Sequence, residues 1–298
     1  MKTSFFTKID LPRHEEKAFD DFLLGKSECV DIVNRDSHKH KTLGASAQDR
    51  LKIAHDRYFR GFFLDAISGY ARVLQIDQSQ VSAWVGQVRI LVDVGRYESA
   101  IFWADKGIEV LEDARLLAFA KAYALAYAGK VEDAKAIINV PVGKNESPML
   151  WLLRGEILLR IKINFIQWLF APHKNIGKLG AFFCFLKSLS PDQRDPFINQ
   201  RIGFAYLKAG DHRRAFDHLK VSLNEVCDNP LTLYGLAECY GKVHDYERAL
   251  YYVKKAIAGN PNLDSAFTLL QWLHSPTRKF LRIFGGKSNY EKKISSNR

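Results

Sequence analysis

Apolar residues along this chain gather into helical runs, and short phrases of one pattern separate them. Gly95-Arg96-Tyr97-Glu98-Ser99-Ala100 lies between two such runs. Gly61-Phe62-Phe63-Leu64-Asp65-Ala66 precedes it, and Gly129-Lys130-Val131-Glu132-Asp133-Ala134 follows. All three read Gly-x-apolar-x-x-Ala, and the three Ala stand 34 residues apart. A fixed period of this size marks an array of helical hairpins that stack to bury a shared core. Each Gly can end a helix in a tight turn, because it reaches φ > 0 without steric cost. Each Ala lets two helices approach closely. Ala215 and Ala249, again 34 apart, carry the period into the second half.

Taken from the residue 19 before each packing Ala, the first three repeats begin at Ala47, Val81 and Arg115. Here the chain resembles the tetratricopeptide repeat family. Trp84, Gly95, Tyr97 and Ala100 match its pattern in the second repeat; Ala54, Gly61, Phe63, Ala66 and Tyr70 match it in the first. The third supplies Ala122, Gly129, Val131 and Ala134. Val88 takes a place the family gives to a small residue, and Pro is missing from position 32 of all three. A fourth repeat opens at Pro148 with Trp151 and Gly155; its second helix is predicted from Lys178 to Leu189 around Ala181. The stretch 161–177 is longer than a repeat needs and reads as a lengthened first helix with a loop at Pro172. Gly203, Tyr206, Gly210 and Ala215 fit a fifth repeat; Ala237, Tyr240, Tyr246, Ala249, Ala256 and Pro261 fit a sixth. Leu263 to Leu273 is predicted as a capping helix, since arrays need an atypical end unit.

The expected fold is therefore all-α: a right-handed α-solenoid of about six tetratricopeptide repeats with a C-terminal cap. The repeats are placed at 47–80, 81–114, 115–147, 148–195 with the insertion, 196–229 and 230–261, and the cap at 262–274. Residues 1–46 form a polar lead-in with one short helix near 13–24, and 275–298 a basic tail.

The resemblance implies a binding surface. In this family the first helix of each repeat lines a concave groove, at positions 2, 5, 9, 12 and 13. Carried onto this chain, those positions include His55, Tyr58 and Phe59, then Arg89, then Phe119, Tyr123 and Tyr127. Further along they include Glu156 and Arg160, Phe204 and Lys208, and Tyr234, Glu238 and Lys242. An aromatic wall with interspersed cations suits a protein or peptide segment with apolar anchors and acidic residues. The Lys and Asn clamp that some family members use on carboxylates is absent; Leu51, His55 and Gly86 stand among its places.

Charge adds a second surface. The formal net charge is +11. Seven Lys and Arg in 275–298 face Glu291 alone, so over half of the excess lies in the tail. A basic end of this kind solubilises, or contacts membrane, nucleic acid or an acidic protein. Candidate chemistry changes little. Cys29, Cys184, Cys227 and Cys239 form no CxxC pair, which fits free thiols in a reducing compartment. Cys29, His38 and His40 are a loose set for a metal. Gly285-Gly286-Lys287-Ser288 lacks the rest of a phosphate loop. The apolar start is soon interrupted by Lys8, Asp10 and Arg13, unlike a signal peptide. Met149 to Ala171 carries Arg154, Glu156, Arg160 and Lys162, too many charges for a membrane span. The expectation is a cytoplasmic, non-enzymatic scaffold or adaptor with no cofactor and no metal. The alternatives are a regulatory subunit of a separate enzyme, and peripheral association through the tail.

Overall fold

A computed structural model describes residues 46–143, 146–161 and 178–275. Among the described residues there are thirteen helices and no strand. They fall into two compact units divided after Gln193.

The N-terminal unit holds four hairpins. These are α1 (Ala47–Arg60) with α2 (Phe63–Ile76), α3 (Val81–Asp93) with α4 (Tyr97–Val110), α5 (Arg115–Ala128) with α6 (Val131–Ile138), and α7 (Pro148–Arg160) with α8 (Lys178–Ser188). The C-terminal unit pairs α9 (Pro196–Ala209) with α10 (His212–Glu225) and α11 (Pro230–Lys242) with α12 (Tyr246–Gly259); α13 (Asp264–Leu273) packs on α12.

Local chemistry sets the helix ends. Ser46 caps α1 in a capping box: its hydroxyl accepts from the Asp49 N–H, and its own N–H donates to the Asp49 carboxylate. This pairs two amides that a helix start otherwise leaves without partners. Ser147, Asp195 and Asn229 cap α7, α9 and α11, each followed by Pro at the first helical position, where its missing N–H costs nothing. Asp211 and Asp245 cap α10 and α12.

The hairpin turns share one device. Gly61, Gly95, Gly129 and Gly210 all sit at φ between 80° and 86°. The matching place in the sixth repeat is His244, at φ 67°, the one positive-φ residue other than Gly among the described residues.

The packing alanines behave alike. Ala66, Ala100, Ala134, Ala181, Ala215 and Ala249 are all 0% exposed. Small residues on the partner helix meet the same layer. A Cβ added to Gly203 would stand 2.6 Å from Leu219 and 3.3 Å from the Ala215 carbonyl oxygen. At Gly155 it would stand 2.5 Å from the Phe185 ring.

Two expectations need correction or limits. The first helix of the fourth repeat is not lengthened: α7 stops at Arg160, and Ile161 turns out of the helix at φ −72°, ψ 97°. Its N–H still donates to the Ile157 carbonyl, so the last turn closes before the chain leaves. The expected loop at Pro172, the short helix near 13–24, Cys29, His38, His40 and nearly all of the basic tail lie outside the described residues. The capping helix is present and starts at Asp264, one residue later than expected.

Candidate partner-binding wall

In the N-terminal unit the first helices α1, α3, α5 and α7 form one layer, and the second helices form the other. Helix α5 shows the arrangement: it touches α3 and α7 within its layer, and α4 and α6 behind it. Tyr123 of α5 is where the predicted groove residues meet.

Arg89 of α3 reaches across α5 to Glu156 of α7. Its Nη2 donates to Glu156 Oε1 at 2.9 Å, and the second carboxylate oxygen is also 2.9 Å away. The guanidinium lies over the Tyr123 ring, 5.4 Å from its centre. Arg89, Tyr123 and Glu156 are the same position of three successive repeats, so the ion pair spans the wall along one row. A second row runs beside it. Tyr127 packs on Tyr123 with ring centres 4.8 Å apart, and Arg160 sits 5.0 Å over the Tyr127 ring. At the array's start, the Tyr58 hydroxyl donates to Asp93 Oδ2 at 2.8 Å. His55 Nδ1 pairs with the Tyr70 hydroxyl at 2.7 Å. Burial holds the His55 imidazole below its usual pKa and the Tyr70 hydroxyl well above its own, so both are neutral at pH 7.

Burial sorts the predicted residues. Tyr58, Phe59, Arg89, Phe119, Tyr123, Tyr127 and Glu156 are buried. His55 is half-buried, and Arg160 is exposed. Arg89 and Glu156 have side chains only 1% and 2% accessible. Two charges at that depth are tolerated because each answers the other.

In the C-terminal unit the corresponding wall is made by α9 and α11. Phe204, Tyr234 and Glu238 are buried, and Lys208 and Lys242 are half-buried. Burial pushes the Glu238 carboxyl up to about 8, with Lys242 and a hydrogen bond from Tyr234 opposing only part of the effect. Glu238 is thus protonated at pH 7, which leaves the Lys to set the sign of this wall. Behind it, Gln200 Nε2 donates to Thr232 Oγ1 at 2.8 Å and to Asn229 Oδ1 at 3.2 Å. Asn229 also caps α11. This tie between repeats was not foreseen from the sequence; the caps Asp195 and Asn229 at matching places of the two repeats were the available signal. His218 Nδ1 donates to Asn199 Oδ1 at 2.9 Å and stacks on Tyr206. Burial, assisted by Arg214, lowers its pKa to about 4.

No chemistry gathers elsewhere among the described residues. No group of three His, Cys, Asp or Glu could hold a metal ion there. A shallow cavity of about 260 Å³ beside α7 and α8 includes Trp151, Arg154 and Cys184. Burial pushes the Cys184 thiol up to about 11, which disarms it as a nucleophile. No described helix is long and apolar enough to cross a membrane.

The 34-residue period, the left-handed turn at its end and the fully buried Ala recur in hairpin after hairpin. The fold is of tetratricopeptide type. Similar solved structures include a tetratricopeptide repeat protein from Parabacteroides merdae, at 13% identity and TM-score 0.48, covering 87% of this chain and 97% of that one. Another is the protein TTC0263 of Thermus thermophilus, at 15% identity and TM-score 0.41, covering 76% and 99%. A third is YrrB, described as having an unusual peptide-binding site, at 16% identity and TM-score 0.38, covering 68% and 97%. No family model matches the sequence, and no curated protein does either.

Proposed function

We propose that this chain is a protein-interaction scaffold without chemistry of its own. Its first-helix wall in the N-terminal unit holds a partner segment with apolar anchors and acidic residues. The observation that carries this reading is the double row built across α3, α5 and α7. Arg89, Tyr123 and Glu156 form one row; Tyr127 and Arg160 form the other. Tyr123 and Tyr127 are buried and form the floor of the row, and Arg160 above them is accessible and pairs directionally with carboxylates. Arg89 is already committed to Glu156. Arg160 is the exposed cation of the row, so it is the one that meets an acidic flank.

A direct test uses the full chain and two labelled peptides. One carries two aromatic anchors flanked by four acidic residues; the other has Lys at the acidic places. The acidic peptide should bind saturably and weaken with salt, and Arg160→Glu should reduce its affinity at least tenfold. Equal binding of both peptides would contradict the reading.

A further inference from the structure

Second helices in this array reach the first helix that follows. α2, α4, α10 and α12 are each fourteen residues long and pack on α3, α5, α11 and α13. Helix α6 has eight residues, ends at Ile138, and makes no comparable packing on α7. The cause is local. Pro141 has no N–H for a helical bond, and it biases Val140 toward extended backbone. The chain then turns toward the start of α5. Arg115 Nη2 donates there to the Pro141 carbonyl at 2.7 Å, and Arg115 also pairs with Glu146. The cavity of about 260 Å³ lies at this early end. Ile138 and Asn139 line it from α6, Trp151, Arg154 and Leu158 from one side of α7, and Cys184 from α8.

One repeat earlier, the same place holds an ion pair. Lys121 of α5 meets Asp105 of α4, Nζ to Oδ1, at 2.6 Å. Counted from the repeat starts at Arg115 and Pro148, Arg154 stands where Lys121 stands. Asn139 stands where Asp105 stands, 34 residues on. The cation is kept, and a neutral amide replaces the carboxylate. Arg154 is half-buried, and among the described residues it has no carboxylate or hydrogen-bond partner. Its guanidinium lies over the Trp151 ring, 5.9 Å from the centre. The rest of the lining is mostly apolar. Ile138 and Leu158 are buried, and the Cys184 thiol, kept neutral by burial, behaves as a small apolar group.

We infer that this cavity binds a small carboxylic acid with a flat apolar body. The acid group takes the place of the Asp105 carboxylate and pairs with Arg154, as a guanidinium does with a planar carboxylate. The body lies against Trp151, Ile138 and Leu158. The volume fits, since a cavity of roughly 150 Å³ accepts benzene, and the remainder houses a short acid chain. None of the wall residues takes part. A bound acid joins α6 to α7 and so restores a contact that the other hairpins make through protein alone.

The test titrates the full chain with 3-phenylpropionate and, separately, with 3-phenylpropionamide, which keeps the body and removes the charge. Binding is read by calorimetry and by the indole N–H signal of Trp151 in protein labelled with nitrogen-15 tryptophan, assigned with Trp151→Phe. The acid should bind saturably, shift the Trp151 signal, and bind at least tenfold tighter than the amide. Asn139→Asp supplies the missing carboxylate from the chain itself, at an exposed position where the fold is kept. This variant should weaken the acid at least tenfold with an unchanged circular dichroism spectrum. Arg154→Met, matched in the same way, should weaken it as much. No saturable binding of the acid, equal affinity for acid and amide, a shift confined to other Trp signals, or acid affinity indifferent to Asn139→Asp would each overturn the inference.

Discussion

The Arg89 guanidinium and the Glu156 carboxylate meet at 2.9 Å, 67 residues apart in sequence. They join the second and fourth repeats over the Tyr123 ring of the third. Removing one partner strands the other charge in a dry site, which costs about 3–5 kcal/mol. Arg89→Met and Glu156→Leu should each lower unfolding stability by that order. Arg89→Met with Glu156→Leu should recover most of the loss, because an apolar pair needs no compensation at that depth. Denaturant unfolding of the four proteins closes the cycle. Additive single losses would show that the two groups do not act together.

This pair also marks what could be read from the residues alone. The Ala at 34-residue spacing and the Gly at the turns fixed the hairpins, because each has one geometric use. The first-helix positions were legible as a row, since their spacing is that of the repeat. Whether the row is open was not legible. Tyr and Arg at those places serve equally as an open groove or as a buried stack, and the partner of Arg89 is 67 residues away. The end of α7 was misread for a related reason. Ile161 to Phe170 keeps apolar residues at helical spacing, and periodicity has no sign for a backbone that leaves the helix at Ile161. His244 was hidden because a residue at the Gly place carries no marker of φ.

His244 holds a left-handed conformation that costs a side-chain-bearing residue roughly 1–2 kcal/mol. Its ring pairs with the Tyr246 hydroxyl at 2.7 Å, which returns part of that. His244→Gly should therefore stabilise the C-terminal unit by about 0.5–1 kcal/mol. Gly210→Ala is the converse: nothing lies within 4 Å of the added Cβ, so the loss of about 1 kcal/mol is backbone strain alone. Thermal melts of both variants check the signs. A destabilised His244→Gly would mean that the ring contact outweighs the strain.

Ala100 fixes the register of the second repeat. It is 0% exposed, in the helix that Gly95 begins by its turn. Ala100→Glu forces a carboxylate into a fully buried place, at a cost of several kcal/mol, about 3–5 on the scale of an unpaired buried charge. Ala100→Glu should lose cooperative unfolding or melt far lower. A variant as stable as the parent would place that helix face elsewhere.

Two groups give the C-terminal unit a pH profile of known sign. Glu238 rises from 4.5 to about 8 on folding, so the folded state holds a proton that the unfolded state has lost. Its contribution is present below pH 4.5 and is lost as pH rises through 8. His218 falls from 6.5 to about 4, so its contribution is present above 6.5 and lost as pH falls through 4. Between 4.5 and 6.5 the two slopes oppose each other. From 6.5 to 8 Glu238 acts alone and should remove about 1–2 kcal/mol. Glu238→Gln should flatten that limb in denaturant titrations run at pH 6.5 and 8. An unchanged slope in Glu238→Gln would assign the titration to another group.

The binding wall itself is tested most directly by anisotropy titration of the labelled peptide with two aromatic anchors and four acidic residues against the full chain, with and without Arg160→Glu. Arg160 is exposed and rests on Tyr127 at 5.0 Å, so its change leaves the fold intact and alters only the acidic contact. The account predicts saturable binding that Arg160→Glu weakens at least tenfold with no change in melting temperature. Saturable binding that is indifferent to Arg160→Glu, or no binding at all, would contradict it.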